Sequence, residues 1–253
     1  MEQNIHICGL DIFGGDYKAW LGEIDRRMSA GKQTAVYTPG AVMLENAMRD
    51  SDFHRVLARG DILLPDGMGV VMAARLSGQR LWGRLTGVDA AKGVLALAAG
   101  RGWRVFLFGG QRGIAKRAAM RLRRQCPTLK ICGIWHGYLD ERGQERLLLG
   151  IEKSRADIVL VCLGSPRQER WIDQNRARLG SVKLFMGLGG TLDVFSGQVR
   201  RAPVWIGNMG LEWLWRMTLQ PRRFRDLPKI VSFSGRMIMA KAKNLSKCTD
   251  GWF

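Results

Sequence analysis

The chain has 253 residues, 46% of them hydrophobic, and carries 40 Lys and Arg against 22 Asp and Glu, a net charge of +18. That length and apolar share support one full core with an appendage, and the charge points to an anionic partner: nucleic acid, an anionic membrane surface or phosphate-bearing small molecules. The five cysteines (Cys8, Cys126, Cys132, Cys162, Cys248) contain no CxxC pair, which argues against a zinc site or a disulfide framework and fits a reduced cytoplasmic setting. Met1 to Leu10 has no secretory leader pattern, and no uninterrupted apolar run reaches the roughly 18 residues of a membrane span.

Ile5 to Phe13 reads as a strand closing at Gly14-Gly15, and Asp16 as the cap of a helix from Tyr17 to Ala30. A short strand, Gln33 to Tyr37, ends in Thr38-Pro39-Gly40; helices follow at Ala41 to Arg49 and Phe53 to Ala58. Ile62-Leu63-Leu64 is the end of a buried strand, stopped by Pro65, and Gly67 and Gly69 turn the backbone into a helix, Val70 to Leu76. Asp66 sits on that turn. A carboxylate there most often caps the following helix, but the carboxyl end of a strand in an open α/β sheet is also where ligands bind.

Arg84 to Asp89 is a polar loop, with Asp89 read as the cap of a helix from Ala90 to Ala99. The strand from Arg104 enters Gly109-Gly110, and the helix Ile114 to Arg124 follows. Leu129 to Trp135 is a strand leading to His136-Gly137-Tyr138, then Glu141 to Ser154 is helical. Asp157 to Leu163 runs into Gly164-Ser165-Pro166 and a helix from Arg167 to Leu179; Val182 to Met186 is the last strand, ending in Gly187-Leu188-Gly189-Gly190-Thr191. This alternation predicts an α/β fold, Rossmann-like, with a mostly parallel sheet and helices on both faces.

The pattern changes near residue 200, which divides the chain into a core, 1–200, and a helical basic appendage, 201–253. From Arg200 to Lys247 there are eleven Lys and Arg against Glu212 and Asp226, so this stretch holds half of the net charge. Interleaved Trp205, Trp213, Trp215, Phe224, Ile230 and Phe233 make the composition that of an amphipathic helix lying on an anionic membrane. The plainer alternative is the basic face of an ordinary packed helix pair. No nucleic-acid-binding motif accompanies the charge, so no nucleic acid partner is expected.

Glycine turns follow four strands, at Gly40, Gly67 and Gly69, Gly109 and Gly110, and Gly187, Gly189 and Gly190. Such turns bare backbone N–H groups at helix N-termini, which suits a phosphate or diphosphate, although tight turns need glycine in any case. There is no Walker A run and no clean GxGxxG. Thr38, Asp66, Arg84, Gln168, Glu169 and Thr191 gather at the same predicted edge. Arg84 suits a diphosphate bidentately, though a lone arginine is ordinarily a surface residue, and Glu169 in a first helical turn also simply favours the helix dipole. His6, His54 and His136 have no metal-ligand spacing, and Asp50-Ser51-Asp52 spells DxD outside a strand-end context, so no metal is expected. Nor is there a GxSxG nucleophile turn.

These segments, in this order, are similar to the WecG/TagA/CpsF glycosyltransferases. The resemblance is carried by Thr38-Pro39, Leu64-Pro65-Asp66-Gly67-Met68-Gly69, Arg84-Leu85-Thr86-Gly87-Val88-Asp89, Gly164-Ser165-Pro166-Arg167-Gln168-Glu169, the run Gly189-Gly190-Thr191-Leu192-Asp193-Val194-Phe195-Ser196-Gly197, Arg201-Ala202-Pro203 and Gly210-Leu211-Glu212-Trp213-Leu214-Trp215-Arg216. It covers residues from about 5 to 230. It implies a core of the GT-E type and inverting, metal-independent, cofactor-free transfer of a sugar from a UDP-sugar donor to a lipid-diphosphate-linked saccharide acceptor. The setting it implies is peripheral, on the inner face of the bacterial cytoplasmic membrane, in surface polysaccharide or exopolysaccharide biosynthesis.

By motif position Asp66 resembles the general base, Thr38 a residue positioning the reacting groups, and Arg84 and Gln168 ligand contacts. Gly109, Gly110, Tyr138, Gly164, Glu169, Gly189, Gly190 and Thr191 fall on the expected substrate edge, and Arg216, Arg222 and Arg225 resemble appendage arginines that close over a diphosphate, with Arg223 competing for the match. Many members carry an Asn near Gly40-Ala41, which this chain lacks, so the donor sugar is not named. A non-catalytic nucleotide- or polyanion-binding module is the alternative. Homo-oligomerisation is left open.

Overall fold

The alternation seen in the sequence builds a three-layer α/β/α structure in a computed structural model, which describes residues 4–79, 81–209 and 211–249, the side chains at 204, 208, 216, 222 and 242–249 excepted. Eight strands form one sheet: β1 (Ile5–Ile7), β2 (Leu10–Ile12), β3 (Thr34–Tyr37), β4 (Ile62–Leu63), β5 (Arg104–Gly109), β6 (Lys130–Trp135), β7 (Ile158–Cys162) and β8 (Leu184–Gly187). Their spatial order is β1-β2-β4-β3-β8-β7-β5-β6, and every neighbouring pair is parallel except β1 with β2. The sheet is therefore two halves, β1 to β4 and β5 to β8, joined where Thr34, Ala35 and Val36 pair with Leu184, Phe185 and Met186. In open α/β sheets the crevice above such a seam is the usual ligand site.

The parallel strands are apolar on both faces because helices cover both. Ile158 and Leu160 face one layer and Val159 and Val161 the other. On one side lie α1 (Tyr17–Ser29), α5 (Gly87–Arg101), α6 (Ile114–Gln125) and α9 (Thr191–Phe195). On the other lie α2 (Ala41–Arg49), α3 (Ser51–Ala58), α4 (Met68–Leu76), α7 (Glu141–Lys153) and α8 (Arg167–Asn175). Past residue 200 come α10 (Val204–Asn208), α11 (Glu212–Leu219), a 3₁₀ turn at Pro221–Asp226 and α12 (Leu227–Thr249).

Three details depart from the sequence reading. The stretch from Ile5 is a hairpin and not one strand: Cys8 and Gly9 take φ values of 53° and 75°, the left-handed backbone that tight two-residue hairpin connections use. Asp89 does not cap α5. Thr86 does, accepting from the Asp89 N–H at 3.2 Å while its hydroxyl donates to the Asp89 carboxylate at 2.7 Å, so the helix begins about one turn earlier than Asp89. Thirdly, α12 packs directly on α2 and α4, and its Phe233 is only 1% exposed within the layer holding Leu44 and Val71.

Below α12 lies a fully buried carboxylate. Glu45 on α2 accepts from Arg49 at 2.6 Å and from the Ser232 hydroxyl at 2.8 Å, with Arg236 at 3.5 Å. Burial pushes this carboxyl up, but the Ser232 and Arg49 bonds outweigh burial and hold it below the usual range.

Candidate active site

Every parallel strand from β3 to β8 delivers its last residues to the same edge of the sheet. Pro65 and the glycines end the β4 strand and turn the chain into α4, whose N-cap position is Gly67 and not Asp66. The capping role that local chemistry favours for Asp66 therefore falls to a residue without a side chain. Asp66 is half-buried on the turn, and its N–H donates to the Pro39 carbonyl at 3.0 Å, so the turns after β3 and β4 are bonded to each other. Gly40 permits that approach: a Cβ there would lie 2.9 Å from the Asp66 carbonyl oxygen.

Thr38 is buried at the end of β3 and donates to the Gly187 carbonyl at 3.1 Å. It thus stands on the seam, one strand from Asp66. Across the seam, Gln168 is 1% exposed and its amide is already engaged: Oε1 accepts from the Gly189 N–H at 2.7 Å and Nε2 donates to Glu169 at 2.7 Å. Glu169 is fully buried, burial pushes its carboxyl pKa up, and its Oε2 meets no hydrogen-bond partner among the described residues. Gln168 and Glu169 brace the glycine turn after β8 from beneath. Thr191 is buried too, its hydroxyl donating to the Leu188 carbonyl at 2.7 Å.

The turns at Gly109 and Gly110 and at Gly164 lie beside it. The Gly110 N–H donates to the Cys162 carbonyl at 3.0 Å, and the Gly137 N–H to the Gly110 carbonyl at 2.8 Å, which brings the loop carrying exposed Tyr138 to the same edge. The N-termini of α2, α4, α6 and α8 all open there, turning the positive ends of their helix dipoles toward that edge, where they favour an anion. Gly189 and Gly190 complete the rim, half-buried.

The appendage supplies cations to this rim. Arg84 pairs with Glu212 of α11 at 2.8 Å, and Arg201 binds both carboxylate oxygens of Asp89, at 2.6 and 2.5 Å. Burial would raise the Asp89 pKa, yet the bonds from Arg201 and Thr86 leave it below the usual carboxylate range. Arg223, in the 3₁₀ turn, is half-buried, and its Nη2 comes within 3.8 Å of the point a Cβ would occupy at Gly190. Arg225 is exposed, while the side chains of Arg216 and Arg222 lie outside the described residues. Neither of these arginines had a role of its own from sequence: Arg201 entered only as part of the Arg201-Ala202-Pro203 segment, and Arg223 only as a competitor of Arg222 and Arg225.

The remaining polar motifs are structural. Asp50 of the DxD run caps α3, accepting from the Phe53 N–H at 3.0 Å, and pairs with Arg170 at 2.6 Å. His6 pairs with Asp11 at 3.0 Å and His54 bonds the Cys8 carbonyl at 2.9 Å. Among the described residues no group of three or more His, Cys, Asp or Glu side chains is placed to hold a metal ion, and no described helix is long and apolar enough to cross a membrane.

The class is thus that of a mostly parallel, Rossmann-like α/β protein whose glycine turns, helix N-termini, Asp66 and arginines gather at one edge of the sheet, the place where open α/β folds bind ligands. The comparison with known proteins narrows it: the sequence model of the Glycosyl transferase WecG/TagA/CpsF family matches residues 5–247, and the chain belongs to that family. It is a glycosyltransferase. A Bacillus subtilis (strain 168) protein named N-acetylglucosaminyldiphosphoundecaprenol N-acetyl-beta-D-mannosaminyltransferase is 38% identical over 190 residues, 74% of this chain and 72% of that one. A Bacillus spizizenii protein of the same name is 36% identical over 238 residues, 92% and 91% of the two chains.

Proposed function

We propose that the protein moves a sugar from a UDP-sugar to a hydroxyl of a polyprenyl-diphosphate-linked saccharide, with inversion, at the inner face of the cytoplasmic membrane. The observation that carries this reading is the Asp66 carboxylate on the turn bonded to the Thr38-Pro39 turn, one strand from the seam of the sheet and amid the glycine turns. Asp66 takes the proton of the acceptor hydroxyl as that oxygen attacks the anomeric carbon. The bond from that carbon to the diphosphate oxygen breaks on the opposite side, and UDP leaves with the electron pair. The growing negative charge is met by helix N-termini and by arginines of the rim, with Arg223 the described appendage cation nearest the glycine turn.

The segment 201–253 serves as the appendage that covers the site and engages the lipid surface. Its exposed Trp205, Phe224, Val231 and Ile238, with its basic excess, support that reading. Covering the site also excludes water, which would otherwise hydrolyse the donor. The names of the two relatives make UDP-N-acetylmannosamine the first donor to try and a lipid-diphosphate N-acetylglucosamine the first acceptor.

The test is UDP release from a panel of UDP-sugars with and without a short-chain lipid-diphosphate saccharide. Release that requires acceptor is expected from one donor. Binding of UDP-sugars with no acceptor-dependent release from any donor would leave a binding module instead.

A further inference from the structure

The ion pair between Arg84 and Glu212 spans 128 residues of chain and ties the loop before α5 to α11. It is well shielded, the side chains being 19% and 11% exposed. Losing either partner of a shielded pair strands the other charge. The guanidinium also lies close against α10: a Cβ at Gly207 would stand 2.7 Å from Arg84 Nη2.

What matters is where the loop leads. The residue after Arg84 is Leu85, whose N–H donates to the Pro65 carbonyl at 2.9 Å. Pro65 is the residue before Asp66. Glu212 is thus connected to the base by one side-chain ion pair, one peptide unit and one backbone hydrogen bond. A second tie runs parallel to it: Arg201 grips Asp89 and reaches Thr86 Oγ1 at 3.5 Å, fixing the far end of the same loop.

We propose that Glu212 is a positioning residue for the transfer, acting through Arg84 and the Leu85–Pro65 bond to set the turn that carries Asp66 whenever the appendage is seated. This rests on the transferase reading for its kinetic part only. Seating the appendage and aligning the base then become one event, so a protein whose appendage is displaced holds a misaligned site. Coupling of this kind requires direct evidence of non-additivity, which the pair allows.

The experiment uses the full chain with Glu212→Gln, Glu212→Ala, Arg84→Ala and the Arg84→Ala/Glu212→Ala double variant. Two quantities are read: kcat and donor KM from acceptor-dependent UDP release, and amide hydrogen exchange at Leu85 by NMR. Glu212→Gln, which keeps shape and loses charge, is expected to lower kcat on the order of tenfold with donor KM little changed. The double variant should be no slower than Arg84→Ala, because both act as one unit. The Leu85 amide should exchange on the order of tenfold faster in Glu212→Ala than in the parent, while amides of β7 stay protected. Losses that multiply in the double variant, or a Leu85 amide that does not respond, overturn the proposal. A parent protein that releases no UDP overturns the transferase reading alone, and Leu85 exchange then decides the positioning role by itself.

Discussion

The Thr38 hydroxyl donates to the Gly187 carbonyl at 3.1 Å, a hydrogen bond that joins the ends of β3 and β8 where the two halves of the sheet meet. Thr38 is buried, so its hydroxyl has no water to fall back on. The bond holds the glycine turn after β8 in register with the turn bearing Asp66. Thr38→Val keeps the shape and deletes the donor. It is expected to cost about 1–3 kcal/mol by leaving the carbonyl unsatisfied, and to slow transfer by misplacing both turns. Chemical denaturation and steady-state UDP release measure the two effects; normal turnover in a destabilised protein would confine Thr38 to a structural role.

Asp66→Asn isolates the proton-transfer role. The amide is isosteric with the carboxylate and keeps the turn, since the bond to Pro39 comes from the backbone N–H. Thermal stability and UDP binding should match the parent, and turnover should fall by a factor on the order of 100 or more. Near-parental turnover at pH 7 would remove Asp66 from the role of base.

Glu169 gives a pH prediction with a definite sign. Burial raises its pKa in the folded protein. Below the ordinary carboxylate range it is protonated in both states. As pH rises past that range the unfolded chain releases the proton while the folded one keeps it, so stability falls until the folded carboxyl ionises. Glu169→Gln carries no such proton and retains an acceptor for Gln168 Nε2. The difference in Tm between Glu169→Gln and the parent should therefore shift in the variant's favour as pH rises above the ordinary carboxylate range, about pH 4. A difference that is flat with pH would show that Glu169 is ionised with an ordinary pKa.

The parts of the site visible in the sequence were those set by local backbone chemistry. Pro65-Asp66-Gly67 and the glycine turns after the strands announce themselves by residue type, and strand–helix alternation was enough to place them on one edge. Depth was not visible. That Gln168 and Glu169, expected as substrate contacts, are buried and bonded to each other could not be read, because a first-turn polar residue looks alike at any depth. Cys8 at positive φ hid a hairpin, since cysteine is no turn former. The pairs Arg84–Glu212 and Arg201–Asp89 join residues more than 100 positions apart, beyond any spacing rule. Nor could charge alone tell half-buried Arg223 from exposed Arg225, whose directions depend on the phase of a 3₁₀ turn.

The seating of α12 makes the last prediction. A freely removable appendage would leave the core intact when cut after Pro203. Here the cut strips Phe233 from the layer holding Leu44 and Val71 and uncovers Glu45, which loses Ser232 and Arg236 and keeps Arg49. Phe233→Ala alone should cost about 3 kcal/mol or more through the cavity it leaves. Glu45→Gln keeps the shape but leaves Arg236 facing a neutral amide, so it should loosen α12 with less loss of global stability. Limited proteolysis separates these effects: Glu45→Gln should speed cleavage within 227–241 while the sheet resists. Cleavage at the parental rate in both variants would mean that α12 is held by neither contact.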